Sequence, residues 1–529
     1  MIQDTTSLPI KGRLQRLPSW ALLLGFCLLL LLLAALRPLA VPDEGRYGEI
    51  GRWMLVSGDW LTPRLDGLPF FHKPPLLYWL DAISLSIFGV NAWALRLVPA
   101  LHAGLMLTAL YLTVRRLANE TLARRALVML GSSLGFLVGG QYVNHDMVVA
   151  TWISLSIWCF ALAFFAADRP TPWLARAGFV CSALAMLSKG LIGIALPGLV
   201  MLVWLVWTRQ LRKLLYLPWV SGLGLWSAIA LPWFVSAQMR YPDFFNYMFI
   251  GQQFNRYTAA TYNNPQPWWF YLLVLVLILF PWLFFALGQI KRMPQAAAEA
   301  ELEPAVWRLC WAWLLGILVF FSIPHSKLVG YILPVLPPLT LLSAAGWQRW
   351  MAPRVHAPRW FAGLNLLNVG IALAMVLLVG GITRAGRSKD VAEVLACAAS
   401  PGDTIYASDA YPYDLPFYAQ TRHAIVVVQD WGAVRVQAGD SWQRELFEGA
   451  DFDPQAAKVL QGLQALDLAG AAQGNWAVLR KGSTRAKPDV GWRLHFAGAG
   501  WDLYRSGGVA SAAKGPEATQ HKGLDGCGH

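Results

Sequence analysis

Charged side chains are scarce in this sequence. Only 14% of its 529 residues are Asp, Glu, Lys or Arg, whereas 56% are hydrophobic. Because soluble domains average about a quarter charged residues, this composition excludes an ordinary soluble protein and predicts a polytopic membrane protein. The six cysteines are scattered without a CxxC pair, which argues against a disulfide framework or a zinc finger. No internal repeat is visible, and this speaks against transporters built from repeated halves.

Long apolar runs are what the chain has in abundance. About eleven are long enough to cross a bilayer, segment 74–90 is expected at the interface or only partly inserted, and up to thirteen spans are possible. The predicted spans are 19–39, 92–113, 124–141, 146–167, 173–188, 190–208, 214–237, 267–290, 305–323, 328–348 and 360–383. No small-residue cleavage site follows the first run, so we expect an uncleaved span.

The loops between these runs differ in charge. Lys and Arg cluster in every second loop, and the positive-inside bias makes that side cytoplasmic. The alternate loops, including the large ones at about 40–91 and 238–266, are therefore predicted to face outward. The formal net charge of +13 favours anionic lipid head groups and phosphates as partners, and no nucleic acid.

The last part of the chain is less apolar. Segment 388–399 has helical spacing, and short β-like runs occur at 404–407, 424–428, 476–479, 492–496 and 502–504. We predict three parts: a membrane domain at 1–383, an outward-facing α/β domain at 384–505, and a flexible tail at 506–529.

Many ionisable or polar aromatic residues fall on the predicted outward side. They are Asp43, Glu44, Arg46, Tyr47, His72, Lys73, Asp146, Lys189, Arg256, His325, Lys327 and Tyr331. Singly, each has an ordinary interpretation, since Asp43 or Asp146 could cap a helix and Lys189 or Lys327 could snorkel. Collectively they favour a wet cavity that binds a phosphate and a second polar group.

Several of these residues lie in short motifs. The motifs are Asp43-Glu44, Tyr47, Gly48-Glu49, the LPFFHKPPLLYW segment at 68–79, Asp146, Ser188-Lys189-Gly190, and Pro324-His325-Ser326-Lys327 with Tyr331 and Pro334. Over about residues 15–350 the sequence resembles the polyprenyl-phosphate-sugar glycosyltransferases of the GT-C class, in the protein O-mannosyltransferase superfamily. Within that class it is most similar to the bacterial lipid A 4-amino-4-deoxy-L-arabinose transferases.

The resemblance implies an activity and a location. It implies an inverting transfer of the aminosugar from undecaprenyl phosphate to a lipid A phosphate, which confers resistance to polymyxin. The enzyme would be a multi-pass protein of the bacterial inner membrane, with its active site and its carboxyl-terminal domain in the periplasm. The outward side that the loop charges predict agrees with a periplasmic site.

The candidate roles combine the resemblance with charge. Asp43, Asp146 and Lys73 are the candidate catalytic residues, since carboxylates can support positive charge at the anomeric carbon and a cation can stabilise the leaving phosphate. The candidate substrate-binding residues are Glu44, Arg46, Tyr47, Lys189, Arg256, His325, Lys327 and Tyr331. An ionised phosphate acceptor needs no general base, whereas a Ser or Thr acceptor would need one, for which Asp43 is the candidate.

Three questions stay open at this point. The sequence requires no cofactor, but His72 and Glu44 are candidate ligands for a divalent metal, although their spacing matches no standard site. The acceptor could instead be a protein or another envelope polymer. The protein could also be a lipid-linked-sugar transporter or a non-catalytic scaffold instead of a transferase. Both of these alternatives leave the charges on one side of the membrane poorly explained.

Overall fold

The computed structural model describes residues 17–165, 169–255, 257, 264–290, 302–382, 386–437, 439–482 and 491–507. Within that part of the chain, six helices are long and apolar enough to cross a membrane: Ala92–Leu117, His145–Phe165, Trp219–Arg240, Pro304–Ser322, Val329–Trp350 and Ala357–Leu378. Four shorter apolar helices are Ser19–Ala35, Leu76–Phe88, Ile192–Trp207 and Phe270–Leu279. The chain is therefore a multi-span membrane protein, as its composition predicts.

The helices up to the carboxyl-terminal sheet, in chain order, are α1 (Ser19–Ala35), α2 (Asp43–Ser57), α3 (Leu76–Phe88), α4 (Ala92–Leu117), α5 (Glu120–Ser132), α6 (Leu134–Gly139), α7 (His145–Phe165), α8 (Pro172–Lys189), α9 (Ile192–Trp207), α10 (Trp219–Arg240), α11 (Phe270–Leu279), α12 (Leu283–Leu287), α13 (Pro304–Ser322), α14 (Leu336–Trp350) and α15 (Ala357–Ile382). Short 3-10 helices cover Leu211–Tyr216 and Val329–Val335, and a π-helix covers Asn246–Asn255. Each of the eleven predicted runs coincides with one of these helices or with a consecutive pair.

Two predicted runs are broken for local reasons. Run 124–141 divides at Ser133, whose side chain accepts a hydrogen bond from the Phe136 N–H and so caps a second helix. Run 267–290 divides at Phe280, whose backbone is extended. The ring of the following Pro281 clashes with a helical conformation at this residue.

The chain folds as two compact units. Unit 1 contains Met1–Leu36, Pro99–Pro232 and Asn264–Val376, and unit 2 contains Arg37–Val98, Trp233–Asn263 and Leu377–His529. Unit 1 has one continuous apolar core, formed by side chains of α1, α4 to α9 and α11 to α15. The domain boundaries at 383 and 505 stay predictions, and the predicted tail lies outside the described residues from 508 onward.

Unit 2 is built around a mixed β-sheet. Its strands are β3 (Thr404–Ser408), β4 (Val426–Val428), β5 (Leu460–Gln461), β6 (Gln473–Arg480), β7 (Trp492–Ala497) and β8 (Trp501–Gly507), in the order β5-β4-β3-β6-β8-β7. The helices of this part are α16 (Lys389–Ala398), α17 (Leu415–Ala419), α18 (Trp431–Gln437), α19 (Trp442–Phe452) and α20 (Gln464–Ala471). Strands β5, β4, β3 and β6 are parallel, and β8 and β7 are antiparallel additions. The predicted α/β fold is confirmed.

A small hairpin contributes Leu65 and Leu68 to the apolar core of unit 2. Strands β1 (Arg64–Leu65) and β2 (Leu68–Pro69) pair through a turn in which Asp66 has a φ of 54°. Its Oδ1 accepts a hydrogen bond of 2.8 Å from the Ile425 N–H. Burial raises the pKa of Asp66 to about 8, and the Ile425 N–H only partly opposes this. The hairpin is thus attached through a carboxyl group that binds a proton tightly in the folded protein.

We expect stability to decrease as pH rises from about 4 to about 8. The folded pKa of Asp66 lies above its unfolded value of 3.8, so the native state holds a proton that the unfolded chain releases. Asp66→Asn should weaken this dependence and keep the hairpin folded, because asparagine does not titrate, keeps the acceptor oxygen and tolerates positive φ. The gain at pH 8 should be on the order of 5 kcal/mol, measured by thermal unfolding across pH. Exposed Asp451→Asn is the control, and an unchanged profile in Asp66→Asn would contradict the assignment.

Candidate active site

The twelve residues predicted for the site divide between the two units. Asp146, Lys189, His325, Lys327 and Tyr331 lie in unit 1. Asp43, Glu44, Arg46, Tyr47, His72 and Lys73 lie in unit 2, and Arg256 is outside the described residues.

Unit 1 brings Asp146, Lys189 and Tyr331 together. The Lys189 ammonium donates to Asp146 Oδ1 and lies 4.0 Å from the centre of the Tyr331 ring. Both charged side chains are 11% exposed, so their ion pair is shielded from bulk solvent. An ammonium held between a carboxylate and an aromatic face can bind a phosphate while the carboxylate contacts a second group.

Local structure positions this trio. Asn144 accepts from the Asp146 N–H at 2.9 Å and donates to Asp146 Oδ2 at 3.0 Å, which fixes the carboxylate at the start of α7. Lys189 is the last residue of α8, which ends because Gly190 has a φ of 84°. Gly330 leaves room for the carboxylate, since a Cβ at that position would lie 1.9 Å from Asp146 Oδ2.

The other two residues of unit 1 have different surroundings. Lys327 is buried and donates from Nζ to the Gln266 carbonyl at 2.9 Å and to the Pro324 carbonyl at 2.5 Å. Desolvation lowers the pKa of this ammonium. The His325 side chain is exposed, and its carbonyl accepts from the Gln266 N–H at 3.0 Å. The structure therefore gives Lys327 a role in joining its loop to segment 264–266.

Glu44 lies at the centre of a buried ion network in unit 2. Arg37 donates to it at 2.5 and 3.1 Å, Arg96 at 3.0 and 2.8 Å, and the Ala40 N–H at 2.7 Å. Burial disfavours its charge, but the two guanidinium groups outweigh burial and lower the pKa of Glu44 to about 2. Neither arginine was a sequence candidate, although a charge inside the apolar run 92–113 marks Arg96 as unusual.

Asp43 and Arg46 lie one turn apart on α2. The Asp43 side chain is 40% exposed and lies 4.0 Å from Arg46 Nη1. Arg46 Nη1 also forms a 2.8 Å ion pair with Glu445, and its guanidinium lies 4.9 Å from the centre of the Tyr413 ring. Burial disfavours the charge of Arg46, but Glu445 raises its pKa well above the usual value. Asp43 is the more accessible of the two adjacent carboxylates.

Lys73, His72 and Tyr47 complete the group in unit 2. Lys73 Nζ donates to the His72 carbonyl at 3.1 Å. The His72 ring stacks on Phe70 with 4.4 Å between ring centres, and its Nε2 lies 3.7 Å from Glu448 Oε2. Tyr47 is half-buried. Glu448 and Glu445 each lie more than 370 residues along the chain from their partners, so no local signal predicts these contacts.

The chemistry around Glu44 does not fit a divalent metal. Its two oxygens already accept from two guanidinium groups, which would repel a cation. Among the described residues, no group of three or more His, Cys, Asp or Glu is arranged to hold a metal ion.

Similarity to known proteins covers much of the chain. A family model described as dolichyl-phosphate-mannose-protein mannosyltransferase matches residues 72–236. The undecaprenyl phosphate-alpha-4-amino-4-deoxy-L-arabinose arabinosyl transferase 2 of Pseudomonas fluorescens is 34% identical over 374 residues, which is 70% of this chain and 63% of that relative. The arabinosyl transferase of Pseudomonas aeruginosa strain UCBPP-PA14 is 33% identical over 68% of this chain and 65% of its own length. The chain thus matches less than two thirds of each relative.

Solved structures share the fold. The crystal structure of ArnT from Cupriavidus metallidurans bound to undecaprenyl phosphate has a TM-score of 0.77 at 24% identity, covering 96% of this chain and 100% of that one. The same protein in the apo state has a TM-score of 0.75 at 24% identity, covering 94% and 99%. This chain therefore shares the fold of these ArnT structures, and over about two thirds of its own length its sequence is similar to the arabinosyl transferases.

Proposed function

We propose that this protein is an inverting glycosyltransferase that moves 4-amino-4-deoxy-L-arabinose from undecaprenyl phosphate to a phosphate of lipid A. The observation that carries the proposal is the pairing of Asp146 with Lys189 against Tyr331, in a chain related to arabinosyl transferases. A carboxylate suits the amino group and the developing positive charge of the sugar, and an ammonium suits a phosphate.

The proposed setting is the bacterial inner membrane, with the site and the α/β sheet in the periplasm. The distribution of Lys and Arg among the loops supports this orientation. The predicted outward loops contain Asp43, Lys73 and the start of α7, so the orientation would present these candidates to a donor and an acceptor on the same side.

The proposed step is a single displacement. A lipid A phosphate oxygen attacks the anomeric carbon, and the bond from that carbon to the oxygen of undecaprenyl phosphate breaks. The electron pair leaves with undecaprenyl phosphate, and the configuration at the carbon inverts. Because the attacking phosphate is already ionised near neutral pH, no proton transfer is required.

The described contacts refine the proposed roles. Lys189 and Lys73 stabilise phosphates, and Asp43 and Asp146 contact the sugar. Arg46 and Glu44 are engaged with partners in unit 2, which favours positioning roles for both. Arg256 stays a proposed phosphate ligand.

The test is sugar transfer by the purified full-length protein, with undecaprenyl phosphate-linked aminoarabinose as donor and lipid A as acceptor. Mass analysis should show a gain of one aminopentose per modified phosphate. Asp43→Ala should reduce turnover about a hundredfold, because the sugar loses a charged contact in the transition state. The exposed carboxylate variant Asp451→Ala is the matched control and should retain the wild-type rate.

Three outcomes would reject parts of the proposal. Normal turnover by folded Asp43→Ala would remove Asp43 from the reaction. Incorporation of the sugar into protein would replace the acceptor. Translocation of the donor without bond cleavage would replace the transferase with a transporter. Survival on polymyxin of a deletion strain carrying this gene provides the test in cells.

Gly330→Ala should reduce transfer at least tenfold without unfolding the protein. Its new methyl group would overlap Asp146 Oδ2, and the carboxylate could move only by giving up its contacts with Lys189 and Asn144. Misplacing a reacting group by about 1 Å can lower a rate about a hundredfold. The control is Gly363→Ala on α15, where an added Cβ meets nothing within 4 Å. Equal rates in the two variants would contradict the proposed site.

A further inference from the structure

An apolar cavity of about 410 Å³ lies among α7, α8, α9 and α10 of unit 1. Its walls are aromatic and aliphatic side chains, such as Phe164, Phe179 and Trp226. Among the described residues that line it, Ser182 alone has a hydroxyl, and this donates to the Gly193 carbonyl at 2.9 Å. Since water needs several polar partners, these walls suit a hydrocarbon chain.

Basic side chains lie next to this cavity. Lys213 Nζ donates to the carbonyl of the wall residue Phe164 at 2.9 Å. Arg176 is exposed, and its Nε donates at 2.9 Å to the hydroxyl of Ser221, which lies between wall residues on α10. Both cations belong to loops or helix ends that the charge distribution predicts to be cytoplasmic. The cavity therefore combines apolar walls with positive charge beside them.

We infer that this cavity binds one acyl chain of an anionic glycerophospholipid whose phosphate is held by Arg176 and Lys213. Membrane lipid tails are as apolar as the walls, so hydrophobic transfer alone gives no preference for the site. Filling a void restores dispersion contacts, and the head group adds attraction to the cations. Each basic residue near a membrane surface should favour an anionic lipid roughly fivefold. This inference is independent of the proposed glycosyl transfer.

Gly198 provides a direct way to occupy the cavity. It lines the wall, it is exposed, and an added Cβ would meet nothing within 4 Å. Gly198→Leu should therefore fill the space without a clash, and leucine also favours the helix. This variant should remain folded while it excludes the lipid chain.

The experiment uses the full-length protein in nanodiscs of phosphatidylcholine containing increasing amounts of phosphatidylglycerol with the same acyl chains. Native mass spectrometry counts the retained lipids, and thermal unfolding measures stability. We expect retention of phosphatidylglycerol at least tenfold above its share of the bilayer, together with a rise in Tm. Gly198→Leu should abolish retention of either lipid while keeping or raising Tm in phosphatidylcholine.

The charge variant separates the head group from the chain. Arg176→Gln with Lys213→Gln should abolish the preference for phosphatidylglycerol and leave retention of one lipid intact. The control, Arg354→Gln with Arg359→Gln, removes two exposed charges of another basic loop and should keep the preference. Unchanged retention in Gly198→Leu would overturn the cavity as the site. An equal loss of preference in the control pair would overturn Arg176 and Lys213 as the phosphate ligands.

Discussion

Asp146→Ala is expected to reduce sugar transfer by about 100-fold to 1000-fold, the range observed when a preorganised charged or polar contact to a transition state is removed. The variant takes away the carboxylate that we assign to the sugar. It also leaves the Lys189 ammonium, which is only 11% exposed, without its anion. The measurement is transfer from undecaprenyl phosphate-linked aminoarabinose to lipid A, with Tm recorded for the same preparation.

A second variant separates the two effects. In Asp146→Ala with Lys189→Met, no unpaired charge is left, so stability should return towards that of the wild type. Transfer should stay low, because both proposed substrate contacts are absent. If transfer recovered in the double variant, Asp146 would serve only to neutralise Lys189. Asp451→Ala with Arg435→Met, an exposed ion pair in unit 2, is the matched control and should leave transfer unchanged.

The membrane-spanning part of the fold could be predicted from the sequence because one physical signal dominates it. Hydrocarbon tolerates only apolar helices, so every long apolar run is helical in the structure. The break at Ser133 was missed because a serine cap is a weak local signal inside an apolar run. Strand β5 was missed because two residues, Leu460 and Gln461, carry no alternation to detect.

The candidate site could be predicted only in part. Asp146 and Lys189 are grouped by the sequence because both lie at the ends of apolar runs on the same predicted side, and the structure pairs them within unit 1. The ion pair between Arg46 and Glu445 could not be anticipated, since it joins segments that are distant in sequence. A count of the Lys and Arg residues on the predicted outward side therefore overestimates how many of them are available to bind phosphates.

The buried ion network around Glu44 should have a large effect on stability when one of its charges is removed. Glu44→Ala should lower the free energy of unfolding by about 3–5 kcal/mol, because two buried guanidinium groups lose their shared anion. Arg96 and Glu44 are completely buried, and Arg37 is nearly so. The substitution also leaves the Ala40 N–H without its acceptor. Chemical unfolding in detergent measures the loss, with Glu393→Ala as the control for a surface pair with Lys389, for which we expect less than about 0.5 kcal/mol.

The variant in which Arg37, Glu44 and Arg96 are all replaced by Met tests why the loss is large. Buried ion networks are often no more stabilising than well-packed apolar side chains, whereas removing one partner exposes the full desolvation penalty. The triple variant should therefore be more stable than Glu44→Ala, although it removes more contacts. Because we give Glu44 a positioning role without substrate contact, the single variant should lose transfer only in proportion to the fraction unfolded, without a separate change in KM. Full stability of Glu44→Ala, or a triple variant less stable than it, would show that the network does not hold α2 by paired charge.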